Sequence, residues 1–310
     1  MQPQQLISSI NDGAFRAIYN ATIPEYRATY SFDQFTAIAQ KIQHDTYTLH
    51  YTISLPPLKK MVWLDEKRSN AIGAIFDSKG YIHFLTMKPY LRFPEADQCF
   101  STTQFELPVR GEWQVAQGGM NELINYHYPF SSQRYAIDLK RVKNKRYFEN
   151  IGNMCEDYYA FNEEIYAPAT GKVMAIEDNI SDQPPGERNE LSTFGNYIIL
   201  KHGHSEYSLL AHLQQNSIHV KKGDSVQLGE LIAYSGNSGD TTAPHVHFQV
   251  MNSMDLNKAK SLRIRFKNNL LPVQGDIITG TIEPKEHIIP PEKPFLGGIR
   301  TILQLFNRSY

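Results

Sequence analysis

From about Trp113 onward the chain alternates short apolar segments with turn residues, and this pattern constrains its fold more than any other feature. Examples are IYAPATGKVMAI, GNYIILKHG, YSLLAHL, GELIAYSGNSG and PHVHFQV, which are separated by Gly, Asn and Pro. Short segments of this kind, bounded by turn formers, are typical of β-strands. The sequence therefore predicts a mostly antiparallel β domain over residues 113–270.

The first ninety residues show helical patterns followed by strand patterns, which predicts an α+β domain. Ser31 and Gln34 fit a capping box at the start of the second of two expected helices. We expect four strands after it, at 46–55, 61–64, 71–76 and 81–87. The apolar residues that carry the helical periodicity are Leu6, Ile7, Ile10, Phe15 and Ile18 in the first helix and Phe35, Ile38, Ala39 and Ile42 in the second.

The 310 residues suffice for two domains of about 100–200 residues each. We predict an α+β accessory domain at 1–92, a linker at 93–112, the β domain at 113–270 and a tail at 271–310. The linker prediction rests on an irregular, proline-containing stretch. The tail prediction rests on glycines and on the segment IIPPEKP, which we expect to lie on the surface.

Composition excludes several classes of partner and site. A net charge of −1 gives no electrostatic argument for nucleic acid or for an anionic membrane. No apolar run approaches the roughly 20 residues of a membrane-spanning helix, so we expect no integral membrane segment. Cys99 and Cys155 cannot form a four-thiolate zinc site or a disulfide framework. Two free thiols are favoured over a single disulfide.

The segment APHVHFQV is the sharpest local feature. His245 and His247 are two residues apart in a strand-like run, so both imidazoles leave the same face, about 6–7 Å apart. His212 in SLLAHLQ and Asp138 in QRYAIDLK lie on other strand-like segments. Imidazoles and a carboxylate on separate strands suit a catalytic zinc site, which uses three protein ligands and leaves one position open.

The segment from about Leu107 to Met251 resembles the lysostaphin/LytM zinc metallopeptidases. The matching motifs, in the order of that family, are APATGKV, GNY, AHL, KKGDSVQLGE, GNSG and PHVHF, and LPVRGEWQVAQGG with NYHYPFSSQRYAIDL is similar to one branch of it. The N-terminal domain resembles the nuclear-transport-factor-two/SnoaL class by the order of its elements alone. A packing or positioning role without catalysis is favoured for that domain.

The resemblance implies roles for individual residues. Asp138 and His247 correspond to zinc ligands, while His212 and His245 correspond to catalytic histidines beside the metal. The family pattern His-x-x-x-Asp would place a third ligand at position 134, where this chain has Arg134, a side chain that stays protonated and cannot ligate zinc. We therefore expect His127, eleven residues before Asp138, to replace it, because the intervening turn formers allow the loop to fold back. Arg134 would then orient Asp138 or hold a substrate carboxylate.

The resemblance further implies a barrel-sandwich-hybrid-like β domain that binds one Zn²⁺ and hydrolyses peptide bonds in peptidoglycan stems or cross-bridges. Two alternatives stay open: a catalytically inactive member of the same fold that binds cell wall or activates hydrolases, and a biotinyl/lipoyl-like carrier. No lysine stands in the Met-Lys-Met setting that a carrier needs. The resemblance favours an exported protein, although MQPQQLISSI is no signal peptide, and a cytoplasmic location is the alternative.

Overall fold

A computed structural model describes residues 1–285 of the chain. Its first part contains four short helices packed on one face of a four-stranded sheet. The helices are α1 Leu6–Asn11, α2 Phe15–Asn20, α3 Pro24–Thr29 and α4 Phe32–Ile42. The strands of this sheet are β1 Tyr47–Leu55, β2 Leu58–Asp65, β3 Asn70–Phe76 and β4 Ile82–Pro89. All three strand pairs are antiparallel and follow chain order, which makes the sheet a meander.

The helices show where local sequence patterns hold and where they fail. The Ser31 hydroxyl accepts a hydrogen bond from the Gln34 amide while the Gln34 side chain accepts one from the Ser31 amide, so the predicted capping box is confirmed. The prediction of one first helix was wrong. Gly13, at φ +71°, separates α1 from α2, because a left-handed residue ends a helix. Pro24 begins the additional helix α3 at a position that suits its fixed φ.

The regular secondary structure of the second part of the chain is almost entirely antiparallel strand, as predicted. Its strands are β5 Phe100–Phe105, β6 Arg110–Gln117, β7 Ile137–Lys140, β8 Glu164–Tyr166, β9 Gly171–Glu177, β10 Asn196–Lys201, β11 Tyr207–Leu213, β12 Ser225–Val226, β13 Leu231–Tyr234, β14 Val246–Met251, β15 Ser261–Phe266 and β16 Ile277–Thr281. The main sheet runs β12-β9-β10-β11-β14-β7-β6-β16, and β15 joins it through β14. Among the strand pairs of residues 1–285, the pairing of β15 with β5 alone is parallel.

Strand β14 lies at the centre of this sheet and is buried along its whole length. It pairs with β11 on one side and with β7 on the other, and its end also pairs with β15. Both faces of β14 are covered. Because side chains alternate along a strand, apolar residues such as Phe248 and Val250 point toward the core and polar residues point toward the opposite face. This central position makes β14 the rigid support of any site that includes its side chains.

The N-terminal sheet contributes to two apolar clusters, one on each face. The helices cover the first face, where Phe35, Ile72 and Phe76 are buried. On the other face, Val62 and Leu64 pack with Leu123 and Ile124 of the β domain. The N-terminal part is therefore packed directly against the segment that precedes His127. Its predicted resemblance to the nuclear-transport-factor-two/SnoaL class stays a prediction.

The predicted domain boundaries also stay predictions. Strand β5 and the start of β6 lie within the expected linker 93–112, and β16 lies within the expected tail 271–310. These strands form through pairing with distant partners, β15 for β5 and β6 for β16, which a local pattern does not reveal. The segment IIPPEKP and His287 fall outside the described residues.

Two further expectations concern thiols and membranes. Cys99 is exposed and Cys155 is buried, and both are free, which confirms the favoured prediction. Among residues 1–285, no helix combines the length and the apolar character needed to cross a membrane.

We predict that Phe248→Ala lowers the free energy of unfolding by about 3–5 kcal/mol, because it leaves a cavity beneath the central strand. Phe248 is fully buried, whereas Phe84 on β4 is 43% exposed and provides a matched control. Urea unfolding followed by circular dichroism should show a much smaller loss for Phe84→Ala. Equal losses for the two variants would show that the packing of β14 has no special importance for stability.

Candidate active site

The pairing of β7 with β14 brings a carboxylate and an imidazole together. His247 and Asp138 are direct antiparallel partners, although they are 109 residues apart in sequence. The Nδ1 atom of His247 lies 3.0 Å from Oδ1 of Asp138, and both side chains are buried. The register of two central strands therefore fixes this contact.

His127 reaches the same carboxylate from a loop of consecutive turns between β6 and β7. Its Nε2 atom lies 3.1 Å from both carboxylate oxygens of Asp138. Asn125 organises this loop, since its side-chain oxygen accepts a hydrogen bond from the His127 amide and its side-chain nitrogen donates to the Ala136 carbonyl. The loop thus folds back as the turn residues in the sequence indicated.

His127, Asp138 and His247 together fit a metal ion. All three are buried, and each offers a ligand atom within 4.8 Å of the others. Two imidazole nitrogens and one carboxylate form a donor set that catalytic zinc commonly uses. Their role as ligands remains a proposal, and these geometric facts support it.

Arg134, which occupies the family's usual ligand position, points away from this centre. Its Nε atom donates a hydrogen bond to the Tyr128 carbonyl at 3.0 Å, and its guanidinium carbon lies 3.5 Å from the centroid of the Phe93 ring. Turns at residues 131–135 displace it from the strand face on which Asp138 lies. Arg134 therefore neither touches Asp138 nor lines the cleft, contrary to both roles considered for it from sequence.

Gln249 fixes the tautomer of His247, a role that the sequence analysis missed. The Gln249 side-chain nitrogen donates to the Ser132 carbonyl at 3.0 Å, so its oxygen faces the imidazole. The Nε2–H of His247 then donates to that oxygen at 2.9 Å, leaving Nδ1 without a proton toward Asp138. The strand period of two, which relates His245 to His247, also relates His247 to Gln249 and could have revealed this partner.

His212 enters the site through an irregularity in β11. Asn196 pairs with Leu213 and Tyr197 with Ala211, so His212 is an extra, bulged residue with φ +59°. A bulge of this kind redirects a side chain, and a left-handed non-glycine residue is often functional. The Nδ1–H of His212 donates to the Ser238 carbonyl at 2.9 Å, which leaves its Nε2 free.

His245 has the same arrangement of donor and free nitrogen. Its Nδ1–H donates to the Ala243 carbonyl at 2.9 Å. Its Nε2 is buried without a hydrogen-bond partner among the described residues and lies 3.8 Å from Oδ1 of Asp138. A buried imidazole nitrogen without a partner is costly in an ordinary core, so this atom is suited to a ligand or substrate. The imidazole rings of His212 and His245 are 4.7 Å apart.

Burial sets the charge states of these groups. It lowers the pKa of His245 to about 4 and holds the pKa of His212 well below its usual value, so both are neutral at pH 7. Burial alone would raise the pKa of Asp138. The neighbouring His127 and His245, with the hydrogen bond that Asp138 accepts from His127, outweigh this effect and hold that pKa well below its ordinary value. Asp138 is thus a carboxylate beside the neutral imidazoles of His212 and His245.

These side chains line one open cleft of about 620 Å³. The Tyr126 hydroxyl also donates to Oδ2 of Asp138, at 2.9 Å. The loop 179–195 contributes Arg188 and Phe194 to the cleft. The other lining residues are Ala116, Gln117, His127, Phe130, Gln133, Lys140, Thr193, His212, Asp240, Thr241, Thr242, His245 and His247.

The remaining histidines of residues 1–285 lie outside the cleft, as expected of surface or packing residues. His202 is buried, with Nδ1 and Nε2 hydrogen-bonded to the Thr170 carbonyl and the Ser208 hydroxyl. His204 is exposed and left-handed, at φ +57°. His202 and His204 are two residues apart in sequence, as His245 and His247 are, but they do not belong to the site.

The fold and this cleft define a β-sheet protein with a buried cluster of two histidines and one aspartate that could hold a metal ion. Residues 156–260 match peptidase family M23, and this span includes His212, His245 and His247. The matched part of the β-rich region is therefore similar to peptidase family M23, which confirms the predicted resemblance to lysostaphin/LytM-type peptidases. His127 and Asp138 lie before the matched residues.

The relatives of this domain include peptidoglycan DD-endopeptidases of Vibrio cholerae serotype O1. ShyA is 40% identical over 57 residues, which cover 18% of this chain and 13% of ShyA. ShyB is 36% identical over 115 residues, which cover 34% of this chain and 24% of ShyB. The chain thus matches less than a quarter of either relative. The lysostaphin catalytic domain from Staphylococcus simulans superposes on 49% of this chain and 88% of its own, with 23% identity and a TM-score of 0.29.

We predict that His127→Ala weakens zinc binding by more than the roughly 10–100-fold typical of an outer partner, because it removes a ligand. Arg134→Ala should leave zinc bound, since the Arg134 side chain contacts Phe93 and Tyr128 and not the proposed ligands. Competition with a chromophoric chelator measures both affinities. A His127→Ala variant with unchanged affinity would contradict the assignment.

We also predict that Gln249→Leu weakens zinc binding about 10–100-fold, because His247 loses the acceptor that fixes its tautomer. Gln104→Leu, at an exposed position on β5, makes the same chemical change away from the site. The same chelator competition should separate the two variants. Identical affinities would show that Gln249 does not orient His247.

Proposed function

We propose that the chain is a zinc-dependent endopeptidase that hydrolyses peptide bonds of peptidoglycan stems or cross-bridges. The observation that carries the proposal is one cleft in which three buried donors lie beside two neutral imidazoles with free Nε2 atoms. His127, Asp138 and His247 would hold the metal. When bound, zinc supplies a Lewis acid for the scissile carbonyl and makes a nearby water more acidic.

His212 and His245 are the proposed catalytic groups. Because each Nδ1–H donates to a backbone carbonyl, each Nε2 lone pair faces the cleft and can accept a proton from the attacking water. An imidazole that has accepted this proton can donate it to the leaving amine. The imidazolium can also form a hydrogen bond to the developing oxyanion.

Asp138 remains a carboxylate at neutral pH, and the Tyr126 hydroxyl donates a hydrogen bond to it. The ion pair of Arg188 with Asp240 borders the cleft and would face the bound peptide. The substrate class is supported by the similarity to ShyA and ShyB, which are peptidoglycan DD-endopeptidases. We accordingly propose that the protein acts outside the cytoplasm, in the cell envelope or beyond it.

An inactive binding or activating module is the alternative that Arg134 favoured. The position of His127 weakens that alternative, because an imidazole from the neighbouring loop contacts Asp138 although this chain lacks the histidine that the family pattern has at residue 134. A module without catalysis would also have no need for two buried imidazoles with free nitrogens.

We predict that His212→Ala and His245→Ala each lower peptidoglycan hydrolysis about 10²–10⁴-fold, because each removes a group that moves or holds a proton. Both variants should still bind zinc, which elemental analysis of the purified proteins measures. Release of soluble peptides from purified peptidoglycan gives the rate.

The matched control is His219→Ala, which removes an exposed imidazole stacked on Tyr234 outside the cleft. Its rate should remain near that of the unchanged protein. If either catalytic variant loses zinc as readily as His247→Ala, the division between ligands and catalytic groups is wrong. If the unchanged protein holds zinc and cuts no peptidoglycan, the proposed substrate is wrong.

A further inference from the structure

Lys140 places a cation in the wall of the cleft. It lies two residues after Asp138 at the end of β7, so both side chains leave the same face of the strand, about 6–7 Å apart. Both residues line the cleft, and Lys140 is half-buried there. The ammonium therefore lies beside the proposed metal ligands, on the side of the cleft formed by β6 and β7.

The register of the sheet places Lys140 next to a proposed catalytic group. Leu139 pairs with Val246, so the next position in the antiparallel register sets Lys140 opposite His245. On its other side Lys140 pairs with Gln114 of β6. A substrate group bound by Lys140 would therefore lie close to the proton-transfer machinery.

Within residues 1–285, Lys140 forms no ion pair with a carboxylate. Its nitrogen lies 5.6 Å from the centroid of the Tyr147 ring, which is a weak, non-ionic partner. The neighbouring cations are already paired, Arg141 with Glu163 and Arg188 with Asp240. Lys140 is thus the cation of this cleft whose charge the described residues leave available to a ligand.

We propose that Lys140 binds a carboxylate of the peptide substrate and so makes the enzyme selective for acidic peptides. This inference rests on the proposed peptidase function and names the substrate class of the same cleft. A half-buried ammonium that faces a neutral ligand would lose solvation without compensation, whereas a carboxylate supplies a charge-assisted hydrogen bond.

The distance between Lys140 and the metal ligands limits where that carboxylate lies. An extended peptide advances about 3.3 Å per residue, so 6–7 Å corresponds to roughly two residues. Because the lysine side chain adds its own length to this spacing, the carboxylate is expected within a few residues of the scissile bond. It is either the main-chain terminus of the peptide or the side chain of an acidic residue, and both present the same chemistry to the ammonium.

The test uses the full chain, loaded with zinc, and four synthetic peptides around one scissile bond. Each peptide has either a carboxylate or a carboxamide at its terminus, and either an acidic or an amide side chain next to that bond. We expect at least one carboxylate to raise kcat/KM about 10–100-fold over its amide counterpart, the range of a charge-assisted hydrogen bond. The pair of peptides that shows the preference identifies the source of the carboxylate.

The variants then assign the preference to Lys140. In Lys140→Gln the ratio between the carboxylate and amide peptides should fall toward one, and Lys140→Arg should restore much of it. Lys145→Gln removes the same charge at an exposed position outside the cleft and should keep the ratio of the unchanged chain. A general loss of structure or metal would lower both rates and leave their ratio unaffected.

Two failures have different meanings. Equal rates on carboxylate and amide peptides, or an unaltered preference in Lys140→Gln, would overturn the role of Lys140 and leave the peptidase proposal intact. If no peptide is cut, the peptidase proposal fails. Calorimetric binding of the same peptides then still tests Lys140, and equal affinities for carboxylate and amide forms would overturn its role.

Discussion

The contact between Asp138 and His247 is the interaction on which the rest of the site depends. It follows from the register of β7 with β14, because the two residues are direct partners in the middle of the main sheet. A shift of one residue in either strand would turn both side chains to the opposite face. The fully buried β14 prevents such a shift, since its apolar residues would lose their place in the core. The folding energy of the β domain therefore also maintains the geometry of the proposed metal centre.

Backbone carbonyls and one amide side chain set the chemical state of the histidines around that contact. Ser238 and Ala243 accept from the Nδ1–H groups of the two proposed catalytic imidazoles, whereas Gln249 accepts from the Nε2–H of His247. These histidines thus present different ring nitrogens to the cleft, Nε2 in two cases and Nδ1 in the third. This difference separates His247, which offers Nδ1, from His212 and His245, which offer Nε2.

Local patterns predicted the parts of the structure that depend on neighbours in sequence. The capping box at Ser31, the strands of the N-terminal meander and the turn-rich loop after His127 are of this kind. Pairing between distant segments escaped prediction, and so β5 and β16 fell within an expected linker and an expected tail. The redirection of His212 also escaped, because a bulge arises only when two strands are aligned. Motif order located the cleft residues, but it could not show how Gln249 or Lys140 would be oriented.

The placement of Arg134 has a consequence for dividing the chain into fragments. Its guanidinium stacks on Phe93, and the hydroxyl of Tyr128 donates to Asp97, so the loop that carries His127 is held by a segment before β5. Leu123 and Ile124 of the same loop pack on the N-terminal sheet. A fragment that begins where the match to the peptidase family begins would keep three of the five residues of the proposed site. It would lack the loop that carries His127 and the segments that hold this loop in place. The smallest autonomous unit of this protein is therefore larger than the region that sequence comparison delimits.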